Sequence, residues 1–506
     1  MEKAHLIVLG GGTAGWMSAL LMAKKLGVHA NITLVESPDI PVIGVGEGTT
    51  PYIKQFFKQL DIAEQDWMPA CQATYKCGIR FPDWSTKNQY QSYFHPFFSP
   101  LDKQVGEAFF HNANCRRAGI DVDANPNHYF VTSYLAKQGL SPHCQQPLPF
   151  ELDYAYHFDA GLLGTFLQSI GTKMGVTHQQ CNIIDVERHL NGDIAAIISD
   201  QGERLTADYF IDCSGFRGQL IEQTLDVPFY SYASSLKNNA AVAIQVEHQQ
   251  PSKLPDKLPT ETRSSALANG WMWNIPLTQR WGNGYVYSRD YLNQEQAERE
   301  LRTALGISDE ISARHLSMKV GRRQEHWRNN VFAIGLSQGF VEPLEATALM
   351  LVQYTIEHAC EAIAGQLGGE VARLNDSKQK FNDTINDMFD GVRDYILVHY
   401  LTNSRNDSQY WLDSRNELYV PDAVQHLLEV WQSDADIDKE LEHYFQTSMY
   451  SRASWYCLLA GMGVFPKVKQ RSVQVSAQIA PLQPVVKYNQ NCTQHFRAQQ
   501  DVLAGY

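Results

Sequence analysis

The apolar residues of the amino-terminal part fall in a strand, helix, strand order. Continuous apolar runs at residues 6–9 and 32–35 are typical of buried parallel strands, and the apolar segment 16–26 between them predicts a packed helix. Two later, mostly apolar segments, at residues 209–213 and 331–336, predict further buried strands. Strands that alternate with helices indicate a parallel sheet covered by helices. The pattern therefore predicts an α/β fold.

A helical pattern begins at Thr347, where apolar residues recur at helical spacing as far as Ile363 and stop before Gly368 and Gly369. This spacing predicts a helix of roughly five to six turns. Its first free amides lie beside Glu345, and the N-termini of helices attract anions. The sequence thus places a carboxylate next to a possible anion site.

A glycine motif joins the first predicted strand to the first predicted helix. The segment Gly10-Gly11-Gly12-Thr13-Ala14-Gly15 has the form G-x-G-x-x-G, and Glu36 follows the second strand. This context indicates a dinucleotide site in which Glu36 holds the hydroxyls of an unphosphorylated ribose. A glycine turn without a ligand is the alternative. The sequence contains no second motif of this form, which favours one FAD held by segments from Gly10 to the Pro343 region.

Length and composition limit the classes of protein. A chain of 506 residues suggests roughly two to four structural units, and its net charge of −13 argues against nucleic acid as a partner. No segment has the length and apolar character of a signal peptide or membrane helix, so a cytoplasmic protein without membrane contact is expected. Nine scattered cysteines without C-x-x-C spacing indicate reduced thiols and no metal site.

Further motifs carry a family resemblance. Besides the glycine motif, these are Gly44–Pro51 (GVGEGTTP), Tyr75-Lys76, Trp271–Pro276 (WMWNIP) and Pro343–Glu345 (PLE). Together they resemble the FAD-dependent halogenases of the tryptophan halogenase family, and W-x-W-x-I-P is the most specific of them. The resemblance implies that an NADH-dependent flavin reductase supplies reduced FAD. Oxygen then adds at C4a, and chloride or bromide attacks the hydroperoxide to give hypohalous acid. A lysine directs this oxidant onto an indole or tryptophan-like arene.

The resemblance implies that Lys76 and Glu345 are catalytic, although each residue has a simpler interpretation. Residues 73–81 alternate between apolar and polar, which places Lys76 on the polar, solvent-facing side of a strand. By resemblance, its ammonium hydrogen-bonds to hypohalous acid or its amine forms a haloamine, and the sequence does not decide between these forms. Glu345 could merely complement a helix dipole. By resemblance, it stabilises the cationic ring intermediate and takes the ring proton.

The cofactor and halide residues also follow from the resemblance. The predicted FAD-binding residues are Gly10, Gly12, Thr13, Ala14, Gly15, Glu36, Val45, Gly46, Leu336 and Leu349. Thr347 and the amide of Ala348 are predicted to hold the halide. The usual family pattern here is P-L-E-S-T-G, whereas this chain has Ala346 and Ala348 in place of serine and glycine. A backbone amide survives a change from glycine to alanine unless a positive φ is required.

The substrate residues are aromatic. His95, Phe97 and Trp455 resemble the residues that hold an indole ring between flat aromatic faces. Tyr444-Phe445 stands where tryptophan enzymes tend to have tyrosines that recognise the amino acid backbone, and free indole would suit the same clamp. Trp271 and Trp273 are predicted to point to one side of a strand, as a family mark and a wall of the oxidant path.

The predicted architecture is a Rossmann-like FAD-binding domain of the aromatic hydroxylase type over residues 1–370. A mostly β substrate module is inserted near residues 86–154 and 221–324, and a helical module over residues 371–506 covers the substrate pocket. The glutamine-rich part from Pro481 onward is expected to be a loosely packed tail. A homodimer is left open. The alternative functions are a flavin monooxygenase that hydroxylates the arene directly and a flavin-binding protein without catalysis.

Overall fold

The computed structural model describes residues 3–40, 46–248, 254–255, 257–368, 374–433, 435–444, 449–466 and 479–506. The strands are β1 (Ala4–Leu9), β2 (Ala30–Glu36), β3 (Gly46–Gly48), β4 (Thr74–Lys76), β5 (Gly78–Pro82), β6 (Ser92–Pro96), β7 (Leu140–Cys144), β8 (Ala155–Asp159), β9 (Thr177–Gln180), β10 (Ile183–Arg188), β11 (Ile194–Ser199), β12 (Arg204–Leu205), β13 (Tyr209–Asp212), β14 (Phe229–Ser231), β15 (Ala240–Glu247), β16 (Glu261–Leu267), β17 (Gly270–Pro276), β18 (Arg280–Tyr287), β19 (Ala313–Ser317), β20 (Gly321–Arg323), β21 (Trp327–Arg328), β22 (Val331–Ala333), β23 (Gly339–Phe340) and β24 (Phe496–Ala498).

The α-helices follow the same chain order. They are α1 (Thr13–Leu26), α2 (Ile53–Gln59), α3 (Glu64–Trp67), α4 (Lys103–Arg117), α5 (Val131–Gln138), α6 (Ala160–Lys173), α7 (Gln294–Leu305), α8 (Ala348–Leu367), α9 (Leu374–Thr402), α10 (Gln409–Asn416), α11 (Asp422–Trp431), α12 (Ile437–Tyr444), α13 (Arg452–Gly461), α14 (Leu482–Thr493) and α15 (Gln499–Leu503). Short 3-10 turns lie at Pro100–Asp102, Pro126–His128, Gly215–Arg217, Gly335–Ser337 and Pro343–Glu345, and a π-helical segment lies at Gln219–Thr224.

The chain divides into two compact units, each built from three segments. The first unit comprises residues 1–73, 158–232 and 319–390, and the second comprises residues 74–157, 233–318 and 391–506. The predicted boundaries of an FAD-binding module stay a prediction, because compactness does not say which unit binds a flavin.

The first unit is organised around a six-stranded sheet with the order β21-β22-β13-β1-β2-β9. The strand β1 pairs in parallel with β2 and with β13, and its residues 6–9 are buried as the continuous apolar run predicts. The helices α6 and α8 pack against α1. This arrangement confirms the predicted α/β fold. The predicted strand at residues 331–336 is shorter than expected, because β22 ends at Ala333 and a 3-10 turn follows.

The second unit contains a seven-stranded sheet with the order β19-β15-β18-β17-β16-β5-β6. All its neighbours are antiparallel except β5 and β16, which run in parallel. This sheet confirms the predicted mostly β module, and the helices from α10 onward confirm the predicted helical carboxyl-terminal part. No helix in the described ranges has both the length and the apolar character that crossing a membrane requires.

The expectation of a loosely packed tail from Pro481 onward is wrong. The segment forms α14, β24 and α15, and β24 pairs with β7. Its apolar residues are few, but Val485, Phe496 and Val502 are buried, and Phe496 belongs to an apolar cluster with Cys77 and Leu135. Widely spaced apolar residues within polar sequence gave no periodic signal, although each of them packs.

Candidate active site

The glycine motif forms a tight turn between β1 and α1. A Cβ atom at Gly10, where φ is +118°, would lie 2.2 Å from the carbonyl oxygen of Cys213, and one at Gly15 would lie 1.8 Å from the carbonyl oxygen of Gly10. Only glycine fits these two positions. A Cβ atom at Gly12, in contrast, would meet nothing within 4 Å. The turn is therefore closed by Gly10 and Gly15 and has open space beside Gly12.

The open space lies at the start of α1. This helix begins at Thr13, no side chain caps it at Gly12, and its first turn contains no acidic residue. The amides of the first turn, which include those of Thr13 and Ala14, have no intrahelical acceptor and favour an anion such as a pyrophosphate. The residues therefore fit the phosphate part of FAD.

Glu36 lies against the same turn. A Cβ atom at Gly11 would lie 1.4 Å from the Oε2 atom of Glu36, so the carboxylate directly contacts the glycine backbone. Its Oε1 atom accepts hydrogen bonds from Nε2 of His178 at 2.7 Å and from Nε2 of Gln180 at 3.4 Å. This position suits recognition of the ribose. His178 and Gln180, which orient the carboxylate, were not found from the sequence, because they lie on the distant edge strand β9.

The remaining predicted flavin residues belong to three other elements of the first unit. Gly335 lies against the first turn of α1, since a Cβ atom there would lie 2.7 Å from the Cβ atom of Ala14, and Leu336 follows it in a 3-10 turn. Gly46 is buried at the start of β3, and Leu349 is buried in the first turn of α8. Val45 lies outside the described residues.

The PLE segment forms a 3-10 turn immediately before α8. Ala346 then adopts a left-handed backbone, with φ 56° and ψ 37°, and Thr347 precedes the helix without a side-chain cap. The helix runs from Ala348 to Leu367, so its 20 residues confirm the helix predicted from the apolar spacing. Ala348 is its first residue and is not among the residues with positive φ. The change from glycine to alanine at this position therefore keeps the amide, and the left-handed position is Ala346.

Glu345 and Thr347 are both buried, with exposed fractions of 3% and 2%. A glutamate that only complements a helix dipole is ordinarily solvated at the helix surface, which is not the situation of Glu345. The Thr347 side chain does not cap α8, and its hydroxyl lies next to the first amides of the helix, as an anion site requires. The structure thus brings Glu345, Thr347 and Ala348 together within the first unit.

Lys76, the last residue of β4, is fully buried, so the solvent-facing position that the alternating pattern predicts is wrong. Residues 73–81 do not form one strand. The strand β4 pairs with β8, whereas β5 pairs with β6 and β16. The alternation consequently spans two strands of different sheets and does not define one polar face. The Nζ atom of Lys76 lies 5.4 Å from the centroid of the Phe97 ring, within the range of a cation–π interaction.

A buried histidine that the sequence analysis did not identify lies opposite the start of β4. The Oγ1 atom of Thr74 donates to the carbonyl oxygen of Pro276 at 2.7 Å, so it accepts from Nδ1 of His157 at 3.0 Å. Nε2 of His157 then accepts from Oγ1 of Thr262 at 2.9 Å. Burial holds the pKa of His157 well below its usual range, and the nearby positive charge of Lys76 lowers it further. A neutral imidazole therefore links β4, β8 and β16.

The predicted substrate residues His95 and Trp455 lie around one tyrosine. The ring centroid of Tyr395 lies 5.9 Å from that of His95 and 4.9 Å from that of Trp455, and Tyr395 stacks on Tyr450 at 3.6 Å. Nε2 of His95 also lies 3.1 Å from Oγ of Ser454. Tyr395 lies on α9, where an aromatic residue is more often a core residue, and Tyr450 lies between α12 and α13, so neither was identified from the sequence.

The other predicted aromatic residues have clear positions. The rings of Trp271 and Trp273 are 6.2 Å apart on β17, which ends at Pro276 as predicted. Trp273 packs over Gly284, where a Cβ atom would lie 2.0 Å from the indole ring. Tyr444 contacts Trp455 edge to face at 5.4 Å, and Phe445 lies outside the described residues.

Comparison with known proteins decides the family. A sequence profile described as tryptophan halogenase matches residues 5–478. The chain belongs to the tryptophan halogenase family. As a member of this family, it is a flavin-dependent halogenase, and the family implies FAD as the cofactor.

Relatives and solved structures match this halogenase over nearly its whole length. Tryptophan 6-halogenase SttH from Streptomyces toxytricini is 35% identical over 480 residues, which cover 90% of this chain and 89% of the relative. Its crystal structure has a TM-score of 0.84, with 99% of this chain and 100% of that chain covered. BrvH, a flavin-dependent halogenase from Brevundimonas sp. BAL3, has a TM-score of 0.84 at 30% identity, with 100% and 99% of the two chains covered.

Proposed function

We propose that this protein is a two-component halogenase that uses reduced FAD, O2 and chloride or bromide to form hypohalous acid, and that Lys76 guides the acid to an indole or tryptophan-like arene. The observation that carries this proposal is the complete burial of Lys76 beside the Phe97 ring. Burying an ammonium is costly, so a lysine without a function would ordinarily extend to solvent.

The first unit contributes the flavin and halide residues. The glycine turn, the start of α1 and Glu36 bind the pyrophosphate and ribose of FAD. When bound, the reduced flavin supplies two electrons, so that FADH2, O2, one halide ion and one proton give FAD, hypohalous acid and water. The uncapped amides of Ala348 and the next residues of α8, together with the Thr347 hydroxyl, bind the halide.

Lys76 and Glu345 divide the transfer step between them. The Lys76 ammonium donates a hydrogen bond to the oxygen of hypohalous acid, which makes the halogen more electrophilic. A ring carbon attacks the halogen, the oxygen–halogen bond breaks, and the departing hydroxide takes a proton to form water. The Glu345 carboxylate stabilises the ring cation and accepts the ring proton, which restores aromaticity.

The aromatic residues of the second unit select the substrate. In this proposal His95, Phe97 and Trp455 stack on a bicyclic arene, and Tyr444 contacts Trp455. SttH and the relative RebH from Lentzea aerocolonigenes, which is 32% identical, are described as tryptophan halogenases. Tryptophan and free indole are accordingly the first substrates to compare, with both halides.

A separate NADH-dependent flavin reductase completes the proposed system in the cytoplasm. The glycine motif of this chain accounts for one dinucleotide, and its sequence has no second such motif for a nicotinamide cofactor. The electrons therefore come from another protein, and FADH2 is the species that this chain receives.

The test compares Lys76→Ala with the wild type in a mixture of flavin reductase, NADH, FAD, bromide and tryptophan or indole. We expect product to fall by about two orders of magnitude or more, while the oxidation of FADH2 continues. Mass spectrometry measures the product, and oxygen uptake measures flavin oxidation. Lys137→Ala, at an exposed lysine of the same unit, is the matched control and should behave as the wild type does.

Two outcomes would contradict the proposal. Halogenated product that persists in Lys76→Ala would remove the guiding role of this lysine. A wild-type product that gains oxygen instead of halogen, at a rate independent of the halide concentration, would instead indicate direct hydroxylation.

A further inference from the structure

Among the described residues, no other strand covers one edge of the strand that carries Lys76. The strand β4 is the terminal strand of its sheet, with β8 as its neighbour. Amides alternate in direction along a strand, so those of Tyr75 and Cys77 point away from β8. The amide of Cys77 donates to the carbonyl oxygen of Thr260 at 2.6 Å. The amide of Tyr75 donates to a side chain, the Oε1 atom of Gln499, at 2.8 Å.

Gln499 connects this edge to a second segment of the chain. It is fully buried, and its Nε2 atom donates to the carbonyl oxygens of Leu258 and Pro259 at 3.0 and 3.1 Å. A primary amide has one acceptor oxygen and two N–H donors. The side chain therefore uses both donors and its acceptor to join Tyr75 to the segment whose next residue, Thr260, holds Cys77. The two amides that flank Lys76 are fixed by one connected network.

The carboxyl-terminal segment holds Gln499 in place. The backbone amide of Gln499 donates to the carbonyl oxygen of Gly139 at 3.0 Å, directly beside the pairing of β24 with β7. Tyr506 at the end of the chain hydrogen-bonds through its hydroxyl to the hydroxyl of Tyr75. The last residues of the chain consequently contact β4 at both the backbone and the side chain of Tyr75.

We propose that Gln499 is a positioning residue for Lys76: it supplies the missing strand partner of β4 and so fixes the backbone from which the amine extends. The inference rests on the proposed role of Lys76. Without the Gln499 amide, the buried N–H of Tyr75 and the carbonyl groups of Leu258 and Pro259 each lose a hydrogen bond, and the segment relaxes to recover hydrogen bonds. A displacement of the amine by about an ångström is enough to impair group transfer severely.

The test measures how much of the oxidant reaches the arene. Gln499→Leu keeps the size of the side chain but removes its hydrogen bonds, and Gln500→Leu changes the neighbouring, partly exposed glutamine as a control. Each variant receives FADH2, bromide and tryptophan or indole, with taurine added to trap escaping hypobromous acid. The ratio of brominated arene to bromotaurine is expected to fall about tenfold or more in Gln499→Leu and to stay at the wild-type value in Gln500→Leu.

The ratio separates positioning from a merely structural role. A loss of folded enzyme lowers both products together and leaves their ratio unchanged, and an unchanged ratio in Gln499→Leu overturns the inference. If the leucine variant does not fold, Gln499→Asn gives the same test, because its amide is one methylene too short to reach Tyr75 and Pro259 together. Wild-type capture of the oxidant in Lys76→Ala would overturn the role of Lys76 itself, whereas loss in Lys76→Ala with normal capture in both Gln499 variants would overturn this inference alone.

Discussion

The backbone at Ala346 is unusual for a residue with a side chain. Its φ of 56° lies in the left-handed region, which costs an L-residue other than glycine about 1 kcal/mol or more. The strain falls between Glu345, which ends the 3-10 turn, and Thr347, which precedes α8. Strained residues of this kind are retained where the surrounding structure requires the conformation.

We therefore expect Ala346→Gly to stabilise the protein. Relief of the left-handed strain contributes about 1 kcal/mol, and the greater conformational entropy of glycine in the unfolded chain offsets part of this gain. Thermal unfolding measures the change as a higher midpoint. Ala348→Gly is the matched control, because Ala348 begins α8 without a positive φ. Glycine there should lower the midpoint, by up to about 1 kcal/mol of stability. A lower midpoint for Ala346→Gly would contradict the prediction, because the relief of strain would then be smaller than the entropy that glycine adds to the unfolded chain.

The sequence predicts single residues well where chemistry and backbone geometry coincide. Gly10 and Gly15 were identified because no other residue fits a tight strand-to-helix turn, and the structure shows both close approaches. The pattern alone wrongly predicted that Lys76 is exposed to solvent. The alternation of apolar and polar residues continues across a break between two strands, so it does not define one strand face. His157 and Gln499 were not identified, because their importance depends on hydrogen bonds to residues distant in sequence.

Among the elements, the amino-terminal half of α9 is held by an unusual histidine. His326 is fully buried and stacks on Phe389, and its Nε2 atom donates to Oδ1 of Asn386 at 3.1 Å. Its Nδ1 atom has no hydrogen-bond partner among the described residues. Burial lowers the pKa of His326 to about 3, and the nearby Arg322 contributes to this shift. The ring is therefore neutral in the folded state.

This pKa predicts how stability depends on pH. The unfolded chain binds a proton at His326 near pH 6.5, whereas the folded chain resists it until about pH 3. The contribution of His326 to the free energy of unfolding is consequently fully present above pH 6.5. It is lost as the pH falls from 6.5 towards 3, by about 1.4 kcal/mol per pH unit. We expect His326→Gln to show a weaker loss of stability in urea unfolding between pH 6.5 and 5. His29→Gln, at an exposed histidine, should keep the wild-type pH dependence.

An identical pH dependence in His326→Gln and in the wild type would contradict the assignment of the titrating group. The glutamine amide can still donate to Asn386, so the variant removes the titration while it keeps one hydrogen bond of α9.

Elements with a strong period were predictable, and those held by scattered contacts were not. The helix α8 was found from its apolar spacing, and β1 and β2 from their continuous apolar runs. In contrast, α14 and α15 lie in a glutamine-rich segment whose few apolar residues follow no helical period. Their stability comes from tertiary contacts, which a local pattern does not contain.

At the scale of the whole molecule, the chain alternates between its two units. Each unit collects three separate segments, so residues 158–232 belong with the glycine turn, whereas residues 391–506 belong with Lys76. Hydrophobic periodicity assigns a segment to a helix or a strand, but it does not say which segments share a core. The family motifs are distributed over both units, so the resemblance predicts candidate site residues in each of them.

The whole protein should function without any particular reductase. In the proposed function, the glycine turn, the start of α1 and Glu36 would hold the pyrophosphate and ribose of FAD, and these groups are the same in oxidised and reduced FAD. We therefore expect the chain to accept FADH2 from solution. We expect photochemically reduced FAD, supplied in air with halide, arene and catalase, to give the same halogenated product as an NADH-driven reductase does.

Two controls define this last experiment. Lys76→Ala under the same illumination shows how much product arises from oxidant formed in solution, and catalase removes the hydrogen peroxide that free FADH2 forms with oxygen.

Product with several unrelated reductases, and with light alone, would follow from a flavin that diffuses between proteins. Product with only one reductase would instead require direct transfer within a complex. In that case its rate should fall with added salt, because this chain carries a net charge of −13 and would attract a basic partner.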